Sequence, residues 1–273
     1  MALVGAGWSV CKRCVGLLLG FLCSPSAAWA GAWTLPEGTG QWLASLTSTT
    51  ATRAFDGNWG LVPTPRYNKD ELQGLVEYGV TGRLTAIFDP EFQHVDIGAP
   101  ANAARNGLGF TEFGARYAFL QSQNWVFSGQ STLRVPGTLD RSNPAAIGYD
   151  EVEADFRLLL GHNFKIGTMP AFFDLETAER ARTDGAPSEF RFDATLGVQV
   201  TPSWMILAQS FNVISEGEGS PIYGPSYEYF KFELTAVYTL TKNWWLQFGG
   251  VSTYAGRNAL QENGGILGLW HQF

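Results

Sequence analysis

The feature that most constrains this chain is a two-residue alternation in which the charges fall on one side only. In 189–200, Phe190, Phe192, Ala194, Leu196, Val198 and Val200 hold one parity, and Glu189, Arg191, Asp193, Thr195, Gly197 and Gln199 hold the other. Successive side chains of a strand point to opposite faces, so such a segment has one oily face and one ionic face. The split recurs. Val152, Ala154, Phe156, Leu158 and Leu160 oppose Glu151, Glu153, Asp155 and Arg157, and Phe113, Ala115, Tyr117 and Phe119 oppose Glu112 and Arg116. Phe230, Phe232, Leu234, Ala236 and Tyr238 oppose Lys231 and Glu233. Parity alone fits either a soluble sheet packed on a second layer or a sheet that faces lipid.

The connections separate the two. Period-two segments fall at roughly 39–54, 66–81, 83–96, 107–120, 124–136, 149–162, 168–181, 188–200, 204–215, 226–239, 243–256 and 262–273, the length class of tilted membrane strands with extensions. Tight turns ("TGR", "QSQN", "TPS", "LTKN", with "NFKIG" slightly longer) alternate with longer loops rich in Gly, Pro and Asn, including "DGNWGLVPTP" and "EGEGSPIYGP". Strands joined this way make a meander whose tight turns share one end, whereas a Greek-key sandwich breaks the alternation. Thr81, Gln121, Thr201 and Thr241 mark tight turns at multiples of 40 residues, one hairpin per period. Pro90 inside the third segment predicts a bulge or an early strand end. The first segment, rich in Thr and Ser, has no firm parity. The expected fold is all-β: a closed, antiparallel, up-and-down transmembrane β-barrel of about 12 strands, with 10 or 14 left open.

Residues 1–30 read as a cleavable secretory signal: Lys12 and Arg13, an apolar run over 15–22, then Ala28-Trp29-Ala30 before Gly31. A single domain, 31–273, follows. Cys11, Cys14 and Cys23 leave with the leader, so the expected mature chain uses neither a disulfide nor a thiolate metal site. Removing the leader's two basic residues from 18 leaves 16 against 25 acidic ones, a formal charge of −9. That balance argues against nucleic acid, whose phosphates call for a basic surface. Beyond Leu22 there is no apolar stretch of about 18 residues, so a spanning helix is not available.

A closed barrel turns its ionic faces inward, because an Arg or Lys on the lipid side costs about 2–4 kcal/mol at the midplane. The candidate lumen-lining residues are Glu112, Arg116, Arg134, Glu153, Asp155, Arg157, Asp174, Glu176, Arg191, Asp193, Lys231 and Glu233, concentrated on the fourth to eighth segments. Glu151, Arg180 and Glu189 share that parity, while Gln247, Gly249, Gly268 and Gln272 make the last strands nearly neutral. Trp125, Trp204 and Trp244 each open the strand after a tight turn, where amphipathic rings suit the membrane interface. Glu151, Glu153 and Asp155 beside Arg157 fit a salt-bridge ladder better than a calcium site, so no metal and no cofactor is expected.

The chain closes on "GGILGLWHQF", with Leu267, Leu269 and Phe273 on one parity. This resembles the C-terminal assembly signal of bacterial outer-membrane barrels, a terminal aromatic preceded by alternating apolar residues. His271 stands where that family usually has tyrosine or another aromatic. The resemblance implies a Gram-negative outer-membrane protein with periplasmic termini, partnered by the lipid bilayer and the barrel-assembly machinery. The mature start, "GAWTLPEGTGQW", and the hairpin-per-forty layout resemble a bacterial family of outer-membrane transporters of the phenol-degradation meta pathway. That likeness implies uptake of small solutes, aromatic compounds among them.

Twelve strands lie between the filled lumen of eight and the aqueous channel of sixteen. The expected activity is passage of small solutes through a charged lumen, with no chemistry. One alternative is a structural or adhesion barrel whose lumen is shut by salt bridges and whose external loops bind a partner. A second is an outer-membrane hydrolase. His94, near Glu91 and Asp96, is the only histidine placed for it, since His162 lies near a tight turn and His271 at the chain end. The motifs G-x-S-x-G and H-E-x-x-H do not occur.

Overall fold

A computed structural model describes residues 31–137, 143–145, 151–183, 185–219 and 225–273; the leader, 1–30, lies outside the described residues. The strands are β1 (Gly40–Phe55), β2 (Leu61–Thr81), β3 (Leu84–Ile97), β4 (Ala103–Gln121), β5 (Trp125–Pro136), β6 (Glu153–Ile166) and β7 (Met169–Ala181). They continue as β8 (Glu189–Thr201), β9 (Trp204–Ser215), β10 (Glu228–Thr241), β11 (Trp244–Arg257), the two-residue β12 (Ala259–Leu260) and β13 (Asn263–Gln272). Each long strand pairs antiparallel with the next in sequence. The sheet then closes on itself, with β13 pairing β1 from Gln41↔Gln272 to Thr50↔Asn263. At the seam the amide of Gly40 donates to the carbonyl of Phe273 at 2.8 Å and the amide of Phe273 donates to the carbonyl of Gly40 at 2.9 Å. The result is a closed barrel of twelve strands plus the short β12, with no sheet edge left to satisfy in hydrocarbon.

Burial is inverted relative to a soluble protein. Phe156, Leu158, Leu234 and Leu267 are 50–56% exposed, while Glu153 is 0% and Asp155 and Asp174 are 1% exposed. A contiguous apolar belt of this extent in water would be strongly unfavourable at about 25 cal/mol per Å2, so hydrocarbon is the solvent it fits.

The tight turns, 82–83, 122–124, 167–168, 202–203 and 242–243, all lie at the end that holds both ends of the barrel. Several expected boundaries shift. The turn expected at 163–167 is only two residues, because β6 runs on to Ile166 and Asn163, Phe164 and Lys165 pair with Phe172, Ala171 and Pro170. Gly167 makes that turn with φ 63°, a left-handed conformation that glycine adopts without strain. His162 therefore stands within β6, four pairs from the turn. The expected ten-residue loop after β1 shrinks to 56–60, since β2 starts at Leu61 and carries Pro63 and Pro65 in its extension, Pro63 opposite Arg53 after a register break. β4 likewise begins at Ala103. Glu151 precedes β6 rather than lying in it. Pro90 sits beside a register shift between Pro90 and Phe92, the bulge reading rather than the early end. Of "EGEGSPIYGP", 220–224 lie outside the described residues.

Candidate functional site: a plugged, charged lumen

The lumen is built in three tiers, beginning at the turn end. Residues 31–35 precede β1 and run inside the barrel, where Ala32 is 0% and Leu35 4% exposed. Four hydrogen bonds hold this segment to the wall. Ser128 Oγ donates to the Ala32 carbonyl at 2.5 Å and Arg116 Nη1 to the Trp33 carbonyl at 3.0 Å. The Leu35 amide donates to Thr85 Oγ1 at 2.8 Å, and Thr34 Oγ1 to the Gly82 carbonyl at 3.3 Å. The Trp33 ring stands edge-on to Phe172 at 5.8 Å and packs against Ala118, Val126 and Leu159. It lies so close to β6 that a β-carbon at Gly161 would sit 2.5 Å from the ring, so glycine there makes room for the plug.

The second tier is an ion-pair network set by the inward parity of β2 and β4–β8. Arg116 pairs with Glu77 at 2.8 Å, and Gln41 Nε2 donates to the same carboxylate at 2.5 Å. Arg157 serves three carboxylates: Asp155 at 3.5 Å, Asp193 at 2.8 Å, and Glu176. Arg180 reaches Asp155 at 3.1 Å and Glu189 at 3.7 Å. Arg134 joins Glu112 at 3.1 Å to Glu153, and Arg182 joins Glu153 at 2.7 Å to Glu189 at 3.0 Å. Arg191 is 3.4 Å from Glu189. Tyr227 closes the upper edge: Arg182 Nη1 donates to its hydroxyl, which donates to Glu189, both at 2.6 Å.

Ten of the twelve candidate lumen residues thus come together on β4–β8. Lys231 and Glu233, on β10, stand apart. Lys231 pairs with Glu262 at 2.6 Å, and Glu233 accepts from Gln247 Nε2 at 3.3 Å, whose Oε1 accepts from Trp270 Nε1 at 3.1 Å.

The third tier is a cavity of about 580 Å3 on the loop side of the network. Lys69, Glu71, Arg182, Arg191, Lys231 and Glu262 line it, together with the rings of Tyr67, Phe110, Tyr227 and Tyr229. Arg134 lies 4.3 Å over the Phe110 ring and Lys231 5.4 Å over that of Tyr229, cation–ring pairings that leave polarised aromatic surface at the wall. Two groups at the rim, outside the strands, have shifted titrations. Burial disfavours charge on Arg182, but Glu189 and Glu153 outweigh it and hold the guanidinium above its ordinary range. Burial would raise Glu262, but Lys231 and Lys69 outweigh it and hold the carboxyl below the usual carboxylate range.

Several of these residues were not singled out in the sequence. Glu77, Lys69 and Glu71 share the inward parity of β2, a signal carried by the opposing Leu72, Val76, Tyr78 and Val80. Arg182, Tyr227 and Glu262 lie just outside strands, where alternation gives no guidance, and the plug has no period at all.

The remaining candidates are placed as follows. Trp125 stacks on His162 at 3.8 Å, Trp204 meets Tyr238 at 4.7 Å, and Trp244 meets His271 at 4.3 Å and Trp42 at 5.4 Å, all near the turn end. Leu267 and Phe273 are exposed on the outer face and Leu269 is half-buried there. His94 Nδ1 pairs with Asn106 Oδ1 at 2.6 Å. Glu153 and Asp155 are both taken up by arginines, and among the described residues no group of three His, Cys, Asp or Glu is arranged for a metal.

The fold matches solved outer-membrane proteins. The COG4313 outer membrane channel from Pseudomonas putida F1 superposes with a TM-score of 0.72 at 17% identity, over 89% of this chain and 98% of that one. The translocator domain of the autotransporter NalP from Neisseria meningitidis gives 0.52 at 12% identity, over 86% and 88%. The transport unit of the autotransporter AIDA-I from Escherichia coli gives 0.51 at 7% identity, over 90% and 94%. No family model matches the sequence, and no curated protein sequence matches it. At these identities the likeness is one of fold.

Proposed function

We propose that this bacterial outer-membrane β-barrel is a channel that admits small solutes from the cell exterior and passes them toward the periplasm without making or breaking a bond. The observation that carries the reading is the cavity of about 580 Å3 on the loop side of a lumen whose turn end is filled by residues 31–35. A barrel that needed only filling would have no use for an unfilled cavity lined by cations, anions and ring faces. Along the charged wall of the cavity, to which Glu112, Arg134, Arg191 and Lys231 of the lumen candidates contribute, a solute exchanges one charged hydrogen bond for the next, and the wall selects by charge. Tyr67, Phe110, Tyr227 and Tyr229, set beside cations, suit small aromatic compounds that carry an anionic or polar group. The likeness to a solved outer membrane channel supports the same assignment.

The same reading assigns the remaining roles. Residues 1–30 direct export and are removed. Trp125, Trp204 and Trp244 anchor the turn end at the membrane interface, and Leu267, Leu269 and Phe273 present the assembly signal. A second reading, a closed structural barrel, draws on the plug and on the extensive ion pairing. Swelling of proteoliposomes separates the two. The channel reading expects swelling in isotonic benzenesulfonate above that of protein-free vesicles, and faster than in cyclohexanesulfonate of equal charge. Rates equal to protein-free vesicles with both solutes would overturn it.

A further inference from the structure

We propose that the lumen contains a binding site for the chain's own α-ammonium group, created when the leader is removed before Gly31, and that this contact fastens the plug. The inference rests on that cleavage site and stands independently of transport. A β-carbon at Gly31 would lie 2.0 Å from Glu176 Oε1 and 2.8 Å from Asp174 Oδ2, so the Gly31 α-carbon lies directly against two carboxylates, with its nitrogen one bond away. Glycine is the residue this approach permits.

The site is short of positive charge. Glu176 depends on Arg157, which also serves Asp155 and Asp193. Asp174 is 1% exposed, and its Oδ1 has no hydrogen-bond partner among the described residues. The Ala32 backbone and Glu176 bond this carboxyl and Arg116 acts on it from further off, but two buried carboxyls side by side, with no ion pair to Asp174 among the described residues, are still short of cation and donor. Hydrolysis of the Ala30–Gly31 amide adds the hydroxyl of water to the Ala30 carbonyl carbon and its proton to the Gly31 nitrogen, which takes up a second proton near neutral pH. A neutral amide with one hydrogen thereby becomes a cation with three donors, the group these carboxylates lack. Export processing, and not the fold alone, sets the strength of the plug.

The test is acylation of the Gly31 amine in the purified mature protein, its first residue fixed by intact mass. In the folded barrel the amine is expected to acylate roughly tenfold more slowly than in the denatured chain at about pH 8, and the double variant Asp174→Asn/Glu176→Gln is expected to lose that protection. If the double variant fails to fold, Ser-Gly-Ser inserted between Ala30 and Gly31 keeps both carboxylates but displaces the ammonium, and is expected to acylate at the denatured rate while remaining a heat-modifiable barrel. A mature chain that starts elsewhere, equal acylation folded and denatured, or protection unchanged in the double or the insertion variant would overturn the proposal. None of these readouts needs conduction, so failure of the channel reading leaves them intact.

Discussion

Arg157 is the residue on which the lumen's charge balance turns, because one guanidinium serves Asp155, Glu176 and Asp193. Arg157→Ala takes away the ion-pair partner of Glu176 and Asp193, while Asp155 keeps Arg180, and is expected to cost about 3–5 kcal/mol, read as a lower guanidinium midpoint in detergent. Arg66→Ala removes a pair with Asp96 whose side chains are 60% and 37% exposed, and is expected to cost about 0–1 kcal/mol. Glu262 gives a pH test. Its folded carboxyl titrates below its unfolded value of about 4.3, so its contribution is fully present above that value and is lost as pH falls through the folded one. Glu262→Gln should therefore cost about 1.5–3 kcal/mol at neutral pH, and the gap to wild type should narrow steadily as pH falls below about 4. A constant gap across that range would show that the Lys231 pair does not carry it.

Among the elements, the two-sided strands were legible wherever both sides are chemically distinct, as with Phe190 against Arg191 or Leu158 against Arg157. β1 was not, because Ser and Thr suit both faces. Its closure shows the parity: Trp42, Ala44 and Leu46 outward, Gln41, Leu43 and Ser45 inward. The upper ends of β2 and β4 read as loops because Pro63 and Pro65, and Pro100, Asn102 and Asn106, signal turns, yet the hairpins continue pairing there. Leu158→Arg, within the apolar belt, should destabilise the folded barrel by about 2–4 kcal/mol, while Val62→Arg, on the β2 extension, should cost about 0–1 kcal/mol. Equal effects would mean that the belt does not face hydrocarbon.

Over the whole molecule, alternation and turn spacing predict a closed meander, but not which charges meet across it. Arg116 and Glu77 lie 39 residues apart and Arg157 and Asp193 lie 36 apart. Their meeting is fixed by the stagger of neighbouring strands, which no local pattern records. The plug was illegible for a different reason: 31–35 form no periodic element, and their place is decided by the space the closed barrel leaves. Residues 31–35 obstruct the lumen at its turn end. Planar-bilayer recordings of the mature protein and of a variant lacking 32–35 test this most directly. Small discrete current steps are expected for the intact chain and steps several-fold larger for the variant; silence from both, or identical steps, would show that residues 31–35 do not limit the pore.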